Sequence, residues 1–349
     1  MNHERPPTLK DVAELAGVDV SLVSKLINDD PNLRISEPTR RRVEEAIRAT
    51  DYRPNHIARA LRTSRGRTIA FLQQGFTNPI YARIATGAVR AAHEHDYLFV
   101  IGDIDEVVEA AAGPGRLVRY RQGGVDGLLV GASILADDVI ARLLREPMPM
   151  VMVNRRVAGT TAWVAVDDTA AVDLAVDTLR GARHVRVGLL SGPADYESTQ
   201  RRRTAFNAAM PGGGPVGFAD SLSAHDGYRA GLLMLDRHPG LTAILAGHVM
   251  LGVGLLRAAA ERGVAVPREL SVIGLHDSEI ANYVTPRLTT VDTPMEELGA
   301  AAVTALIAVI EGRPPVPSLV VSAPKLVSRA SVASPAGNVI DTSDGYGIP

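Results

Sequence analysis

The chain has 349 residues, 46% of them apolar, with no cysteine and a formal charge of −2, which is enough for two or three packed units. The lack of cysteine excludes a disulfide framework, a thiolate zinc site and a cysteine nucleophile, and it fits a reducing cytosol. The small net charge hides an asymmetry: residues 1–67 carry 13 Lys and Arg against 10 Asp and Glu, a balance of +3 that leaves −5 for the rest.

In chain order, residues 1–7 show no apolar signal-peptide core. No run approaches the ~18 apolar residues that span a bilayer. A cytoplasmic protein with no membrane partner is expected. Thr8 and Asp11 then form a capping box, Val12, Leu15 and Ala16 make one apolar stripe, and Gly17 ends the helix. Asp19 caps a second helix that buries Val23, Leu26 and Ile27 and presents small polar and basic residues at its start. Ser36 caps a third, with Val43, Ala46 and Ile47 on one face, closing at Tyr52–Asn55. Two short helices meeting at a glycine turn make a helix-turn-helix, which sets side chains against base edges in the major groove. The run Arg40, Arg41 and Arg42 alone reads as a solvated helix face; beside this motif it is weighed toward phosphate.

Asn55–Leu61 has a helical pattern, but helices of two turns are marginal in water, so it packs on something or orders when DNA is present. Residues 63–67 form a basic, flexible connector. From Thr68, apolar strands alternate with Ala-rich helices. Strands are expected at Thr68–Leu72, Leu98–Ile101, Gly127–Val130, Met150–Val153, Val164–Val166, Val185–Leu190, Ala243–Ala246, Leu270–Leu275 and Leu288–Val291. Helices are expected at Ala82–His95, Thr169–Arg180, Ser198–Met210, Gly227–Asp236, Met250–Arg262 and Glu296–Glu311. Apolar strands with helical crossovers mean parallel sheets covered on both faces. The repeated rhythm makes two such units, with the break near Ala162–Asp168. From Ala333 the composition turns to Gly, Ser, Pro and Asp without periodicity, which reads as a disordered tail with no coiled-coil seam.

An ordered series of short matches runs through the chain: Thr8–Ala13, Ala16–Val18, Val23, Ser24, Asn28, Tyr52–Asn55, Ala58–Leu61, Asn78, Pro79, Val125–Leu128, Ser191–Pro193, Arg202, Phe206, Val272–Gly274, Thr285, Pro286, Leu288–Thr290 and Leu326–Arg329. From residue 8 to about 331 the sequence thereby resembles the lac-repressor (LacI/GalR) family of bacterial transcription regulators. The resemblance implies an all-α helix-turn-helix headpiece plus hinge helix, joined to an α/β core of two Rossmann-like subdomains of the periplasmic-binding-protein type. The headpiece would be residues 1–54, the hinge helix and linker 55–67, the core 68–332 and the tail 333–349. Within the core, the first subdomain would hold about 68–164 and 294–318, and the second about 165–292 and 319–332. No cofactor is implied.

On this resemblance Val20, Ser21 and Lys25 occupy the positions that reach base edges. Ser21 donates or accepts, Val20 suits a thymine methyl, and Lys25 donates to guanine. Val20 as a partly buried core residue, and Lys25 on a phosphate, are open alternatives. Thr8, Ser24, Asn28 and Asn55 read as phosphate-positioning or capping groups. In the hinge, His56, Ala58, Arg59 and Leu61 complete the DNA set, with Ala58 small for close approach, Arg59 basic for phosphate and Leu61 a wedge that kinks the minor groove. Two wedges on a palindromic operator require a two-fold homodimer.

The family binds a small effector between its subdomains, beyond the carboxyl ends of the strands. Arg202 stands where relatives grip sugar hydroxyls, with Ser198 one turn before it. Asn154 matches a position in the first subdomain, Asn78, Ile80 and Tyr81 form a loop lining the mouth, and Leu222 replaces a stacking aromatic ring. His248 and His276 stand where relatives carry Asn and an acid. Because Arg202 and both histidines donate, an anionic effector such as a sugar acid or phosphate is expected. Neutral polar liners around a neutral sugar or nucleoside, an empty pocket, or a site of His248, His276 and Asp277 for metal are the alternatives.

An enzyme finds no support: the chain has no GxSxG elbow, no Walker loop and no paired carboxylates, and Gly212–Gly214 is a loop after a helix. A periplasmic solute-binding protein would fit the core but not the headpiece. The expectation is a dimeric, sequence-specific repressor switched by an effector.

Overall fold

The computed structural model describes residues 7–27, 33–52, 66–104, 117–131, 135, 137–158, 160, 162–314, 318–320 and 322–335. The chain divides into two compact units, Met1–Gly66 and Arg67–Pro349.

Among its described residues the first unit holds three helices, α1 (Leu9–Ala16), α2 (Val20–Ile27) and α3 (Glu37–Thr50). The Asp11 carboxylate accepts from both the amide and the hydroxyl of Thr8, each at 2.7 Å. Gly17 ends α1 at a φ of 62°, a left-handed conformation that costs glycine little. Asp19 opens α2 by accepting from the Ser21 amide at 2.7 Å. At α3 the expected cap differs: the Ser36 hydroxyl pairs with that of Thr39 at 2.9 Å and takes no main-chain amide. Val12, Ala13, Ala16, Val23, Leu26, Val43 and Ala46 form the small core. Leu15, expected in that stripe, is 59% exposed, because the buried face of α1 turns through Ala13 instead. Ile27 is half-buried. Asn28, Asn55, His56, Ala58, Arg59 and Leu61 lie outside the described residues.

The second unit is built on two six-stranded sheets. The first begins with β1 (Thr68–Gln73), α4 (Pro79–Glu94), β2 (Leu98–Asp103), α5 (Leu117–Gln122), β3 (Val125–Gly131), α6 (Asp137–Leu143), β4 (Met150–Val153) and β5 (Trp163–Ala165). The second begins with α7 (Asp168–Gly181), β6 (Val187–Ser191), α8 (Glu197–Ala209), β7 (Val216–Phe218), α9 (Ala224–Arg237), β8 (Ala243–Ala246), α10 (Val249–Glu261), β9 (Ser271–Leu275), a 3₁₀ turn at Glu279–Asn282 and β10 (Thr289–Asp292). The chain then adds α11 (Met295–Ile310), β11 (Ser318–Leu319) and β12 (Lys325–Val327).

The two sheets repeat one plan. Their orders are β11-β5-β4-β3-β1-β2 and β12-β10-β9-β8-β6-β7, so each strand of the first has a counterpart in the second. All pairings are parallel except β10 with β12. Burial on both faces explains the near-continuous apolar strands: in β1, Ile69 and Phe71 join one cluster, while Ala70 and Leu72 join the cluster on the other side.

The chain crosses between sheets three times. It leaves the first after Ala165, returns through α11, which packs on α4, and leaves again between Val320 and Lys325. Leu319, expected in the second subdomain, pairs instead with Ala165 in the first sheet. The α11–α4 packing needs glycine at the contact, since a Cβ on Gly87 would lie 1.8 Å from the Glu296 carbonyl oxygen. Strands β7, β11 and β12 and helices α5 and α6 were not expected; the strands have two or three residues each, too few to show a period. Ala333, expected to open a disordered tail, is held: its amide donates to Ser271 Oγ at 3.0 Å and its carbonyl lies 2.8 Å from His184 Nε2. Among the described residues no helix is long and apolar enough to cross a membrane.

Candidate DNA-contacting face and ligand cleft

Helix α2 has two unlike faces. Val23 and Leu26 are buried in the three-helix core. Val20, Ser21 and Lys25 are exposed on the other side, with Ser24 half-buried between them. Val20 is 40% exposed, which sets aside its reading as a core residue. The expected base-reading side chains therefore share one solvent-facing strip. Thr8 is exposed at the start of α1. Around them, Lys10 pairs with Glu14 at 3.9 Å and Arg41 with Glu37 at 3.5 Å, both exposed and worth little to stability.

In the second unit, the polar side chains gather beyond the carboxyl ends of β6, β8 and β9. Arg202, on α8, is 2% exposed and committed on three sides. Its Nε donates to Asp168 Oδ1 at 2.8 Å, one terminal nitrogen to the Gly247 carbonyl at 2.9 Å, and the other to His276 Nε2 at 2.8 Å. Asp168 opens α7, and its second oxygen accepts from Arg201 Nε at 2.9 Å. Arg201 also pairs with Glu197. Burial alone would raise the Asp168 carboxyl, but Arg202 and Arg201 outweigh it and hold it well below the usual carboxylate range. Two guanidinium groups and two carboxylates thus cancel.

The hydrogen-bond partners fix the tautomers of the two histidines. A guanidinium only donates, so His276 Nε2 is an acceptor, and its proton sits on Nδ1, 2.6 Å from the Thr293 hydroxyl. A main-chain amide only donates, so His248 Nδ1, 3.1 Å from the Met250 amide, is an acceptor, and its proton sits on Nε2. The rings meet edge to face with centroids 5.6 Å apart. Both are neutral. Burial, helped by the charge of Arg202, lowers His248 to about 3, and burial with Arg202 and His248 pushes His276 well below its ordinary value.

This geometry corrects several expectations. Arg202 and His276 face each other, so neither is a free donor for an anion. Asp277 turns away from the histidines, accepting from Arg329 at 2.9 Å and from Thr290 at 2.5 Å, which takes it out of the suggested metal set. Ile80 and Tyr81 belong to the core, with Tyr81 packed edge-on against Phe71 at 6.1 Å. Asn78 caps α4, accepting from the Ile80 amide at 3.1 Å. Ser198 is buried on α8, and Leu222 packs over the end of β6 at Gly192. Asn154 follows β4 in a left-handed conformation, φ 57°, and His276 follows the counterpart strand β9 at φ 65°. The Asn154 Oδ1 atom is buried without a partner.

Other groups in this region are new. Gln73 ends β1 with its amide nitrogen on the Gly75 carbonyl at 3.2 Å and its oxygen buried and unpartnered. Ser191 ends β6 and Thr199 lies on α8; both hydroxyl oxygens, like His248 Nε2, are buried without a protein partner. Of the new groups, Ser191 alone carried a sequence signal, closing an apolar strand and opening the match Ser191–Pro193. Bonds bridge the subdomains at two places among the described residues: Arg83 on α4 reaches Asp292 and the Asp277 carbonyl, and Glu197 accepts from the Arg156 amide at 3.3 Å.

Comparison with known proteins agrees with this layout. Residues 8–55 match the model of bacterial regulatory proteins, lacI family, and residues 176–332 match the periplasmic binding protein-like domain. The ribose operon repressor of Escherichia coli K12 is 31% identical over 311 residues, covering 86% of this chain and 92% of that protein. The structure of a CelR–cellobiose complex superimposes with a TM-score of 0.65 at 28% identity, over 93% of this chain and 99% of that one. The lac repressor dimer bound to operator superimposes with a TM-score of 0.76 at 23% identity, over 94% and 100%, a likeness of fold.

Proposed function

We propose for this chain, which belongs to the lacI family of bacterial regulatory proteins, the role of a sequence-specific DNA-binding repressor whose operator affinity is set by a small neutral sugar. The observation that carries the DNA reading is the exposed strip Val20, Ser21 and Lys25 on a helix whose opposite face is buried. In it, Ser21 and Lys25 donate to base edges and Val20 meets a thymine methyl. Thr8, Ser24, Asn28 and Asn55 position phosphates, and His56, Ala58, Arg59 and Leu61 act in the hinge, with Leu61 as the minor-groove wedge. The operator is palindromic and the active species a homodimer.

The ligand lies between the subdomains, beyond the strand ends. Asn154, Ser198, Leu222 and His248 are the residues of the original set that still suit this role. Charge decides its class. Arg202 is neutralised by Asp168 and both imidazoles are uncharged, so an anion that meets these three residues would lose its hydration and gain no free cation from them. That supports a neutral sugar over a sugar acid or phosphate. The names of similar proteins point the same way: one is a ribose operon repressor and another is solved with cellobiose. A ligand switches the protein only through different affinities for the two states of the cleft.

The test is footprinting of the full chain on DNA from its own genomic neighbourhood, followed by gel shifts with and without neutral sugars. Protection of a palindrome that Leu61→Ala weakens, with folding unchanged, is expected. Equal loss of folding and binding in that variant would remove the wedge, and an absence of any protected site would remove the regulator reading.

A further inference from the structure

Three polar groups of the second subdomain are shut away from water with nothing to bond. Ser191 and Thr199 are each 1% exposed and His248 is 2% exposed. Ser191 Oγ, Thr199 Oγ1 and His248 Nε2 have no partner within the protein. They come from separate elements, the end of β6, the first turn of α8 and the cap of α10. Two glycines lie among them: a Cβ on Gly192 would come within 3.2 Å of Thr199 Oγ1, and one on Gly247 within 3.1 Å of Ser191 Oγ. A side chain at either position would crowd those oxygens.

Leaving a buried polar group unpaired costs stability, so three together need an account. None can be satisfied by the charged cluster beside them, because Arg202 is held by Asp168, Gly247 and His276. His248 cannot turn its proton elsewhere, since its other nitrogen caps α10. Each hydroxyl both donates and accepts, whereas the imidazole Nε2–H only donates. The set therefore offers donors as well as acceptors and carries no charge.

We infer that Ser191, Thr199 and His248 form one subsite that receives a neutral, oxygen-bearing group of the ligand, with His248 Nε2–H donating to that oxygen. This rests on the reading of the inter-subdomain cleft as the ligand site. It moves selectivity away from Arg202 and His276, which bond each other, and onto Ser191, which opens one of the short matches, and Thr199, which lies in none. In the first subdomain the buried, unpartnered Gln73 Oε1 has the opposite need, a hydroxyl that donates.

The experiment uses the full chain and variants that keep the fold's own bonds. Ser191→Ala and Thr199→Val remove hydroxyls that bond nothing in the free protein. His248→Ser keeps an oxygen to cap α10 and deletes the donor arm. Thermal midpoints are read without ligand, and calorimetry follows binding of ribose, cellobiose, ribose 5-phosphate and cellobionate. The free Ser191→Ala and Thr199→Val proteins are expected to melt at or above the unsubstituted midpoint. At least one neutral sugar should bind, its anionic counterpart about tenfold or more weaker, and each variant should lose about tenfold or more.

Destabilised hydroxyl variants with unchanged sugar binding would show that the groups hold a structural water instead, and would overturn the subsite. Tighter binding of the acids, or no binding by either sugar, would overturn it as well. Operator binding by the same preparations is read separately by gel shift. Its failure in the unsubstituted chain would count against the regulator reading and leave the subsite result intact.

Discussion

Val20, Ser21 and Lys25 stand in open solvent on α2, while Ser191, Thr199 and His248 are closed off beneath the ends of β6 and β8. Both sets are polar or small groups offered to something outside the chain, yet the physics of holding them differs. Water meets Lys25 when nothing is bound, and the Ser21 hydroxyl has the Asp19 carboxylate beside it on the surface, so those residues carry little of the folding energy. The second is closed off, so each of its members carries a standing cost that the proposed ligand would remove. The difference teaches where stability and function separate. On the exposed strip they are independent, and in the buried cluster they trade against one another.

That contrast can be broken at several points. The largest effect is expected from Asp168→Asn, which leaves Arg202 and Arg201 buried without their shared carboxylate; a loss of about 3–5 kcal/mol is expected in urea unfolding. A cost below that of an ordinary surface change would mean the pair is solvated and the cluster is not sealed.

Acid comes next. His248, lowered from 6.5 to about 3, and His276, lowered well below 6.5, stay neutral when folded and take protons when unfolded. The unfolded chain therefore binds more protons below pH ~6.5, so stability is full above that pH and falls as pH drops toward the folded values. Between pH 6.5 and 5.0 His248 should contribute a loss of about 1–2 kcal/mol, and His276 a loss in the same direction. In unfolding series at stepped pH, His248→Asn should flatten the decline by one histidine's share. A decline of undiminished slope would place the titration elsewhere.

The smallest effect on stability is expected at the exposed strip. Val20→Ala, Ser21→Ala and Lys25→Ala should each shift unfolding by less than about 0.5 kcal/mol. In gel shifts the same changes should weaken operator binding by about 1–3 kcal/mol where a base contact is lost. Lys25→Ala also tests its own alternative: a uniform loss on all sequences, with a salt slope reduced by about one, marks a phosphate contact.

Much of the fold was legible because it follows from period and burial. The stripe Val12, Val23 and Val43 and the apolar runs such as Ala243–Ala246 could bury themselves in few other ways. Short pieces escaped: β7 has three residues with glycine at its centre, and β11 has two. In the candidate cleft, Arg202 and both histidines were visible as chemistry but not as bonds. Nothing in one dimension says that Arg202 and His276, 74 positions apart, face each other at 2.8 Å. That bond, with the His276 Nδ1 proton held on Thr293, consumed two of the three groups that suggested an anion. Leu15 failed for a plainer reason, since a helix of eight residues can rotate its buried face by one position through Ala13.

The three crossings between sheets also bear on how the chain comes off the ribosome. The headpiece core is complete once residue 52 has emerged. The first sheet is not: it waits for α11 and for β11 at Ser318–Leu319, made after the whole second β-α series. The second sheet waits for β12, and the Ser331 hydroxyl must still reach the Val272 carbonyl at 2.6 Å. Both halves of the core therefore close at nearly the same moment, late in synthesis, with apolar edges of β5 and β10 uncovered until then. A nascent chain stalled at residue 293 should carry a folded headpiece on an unfinished core.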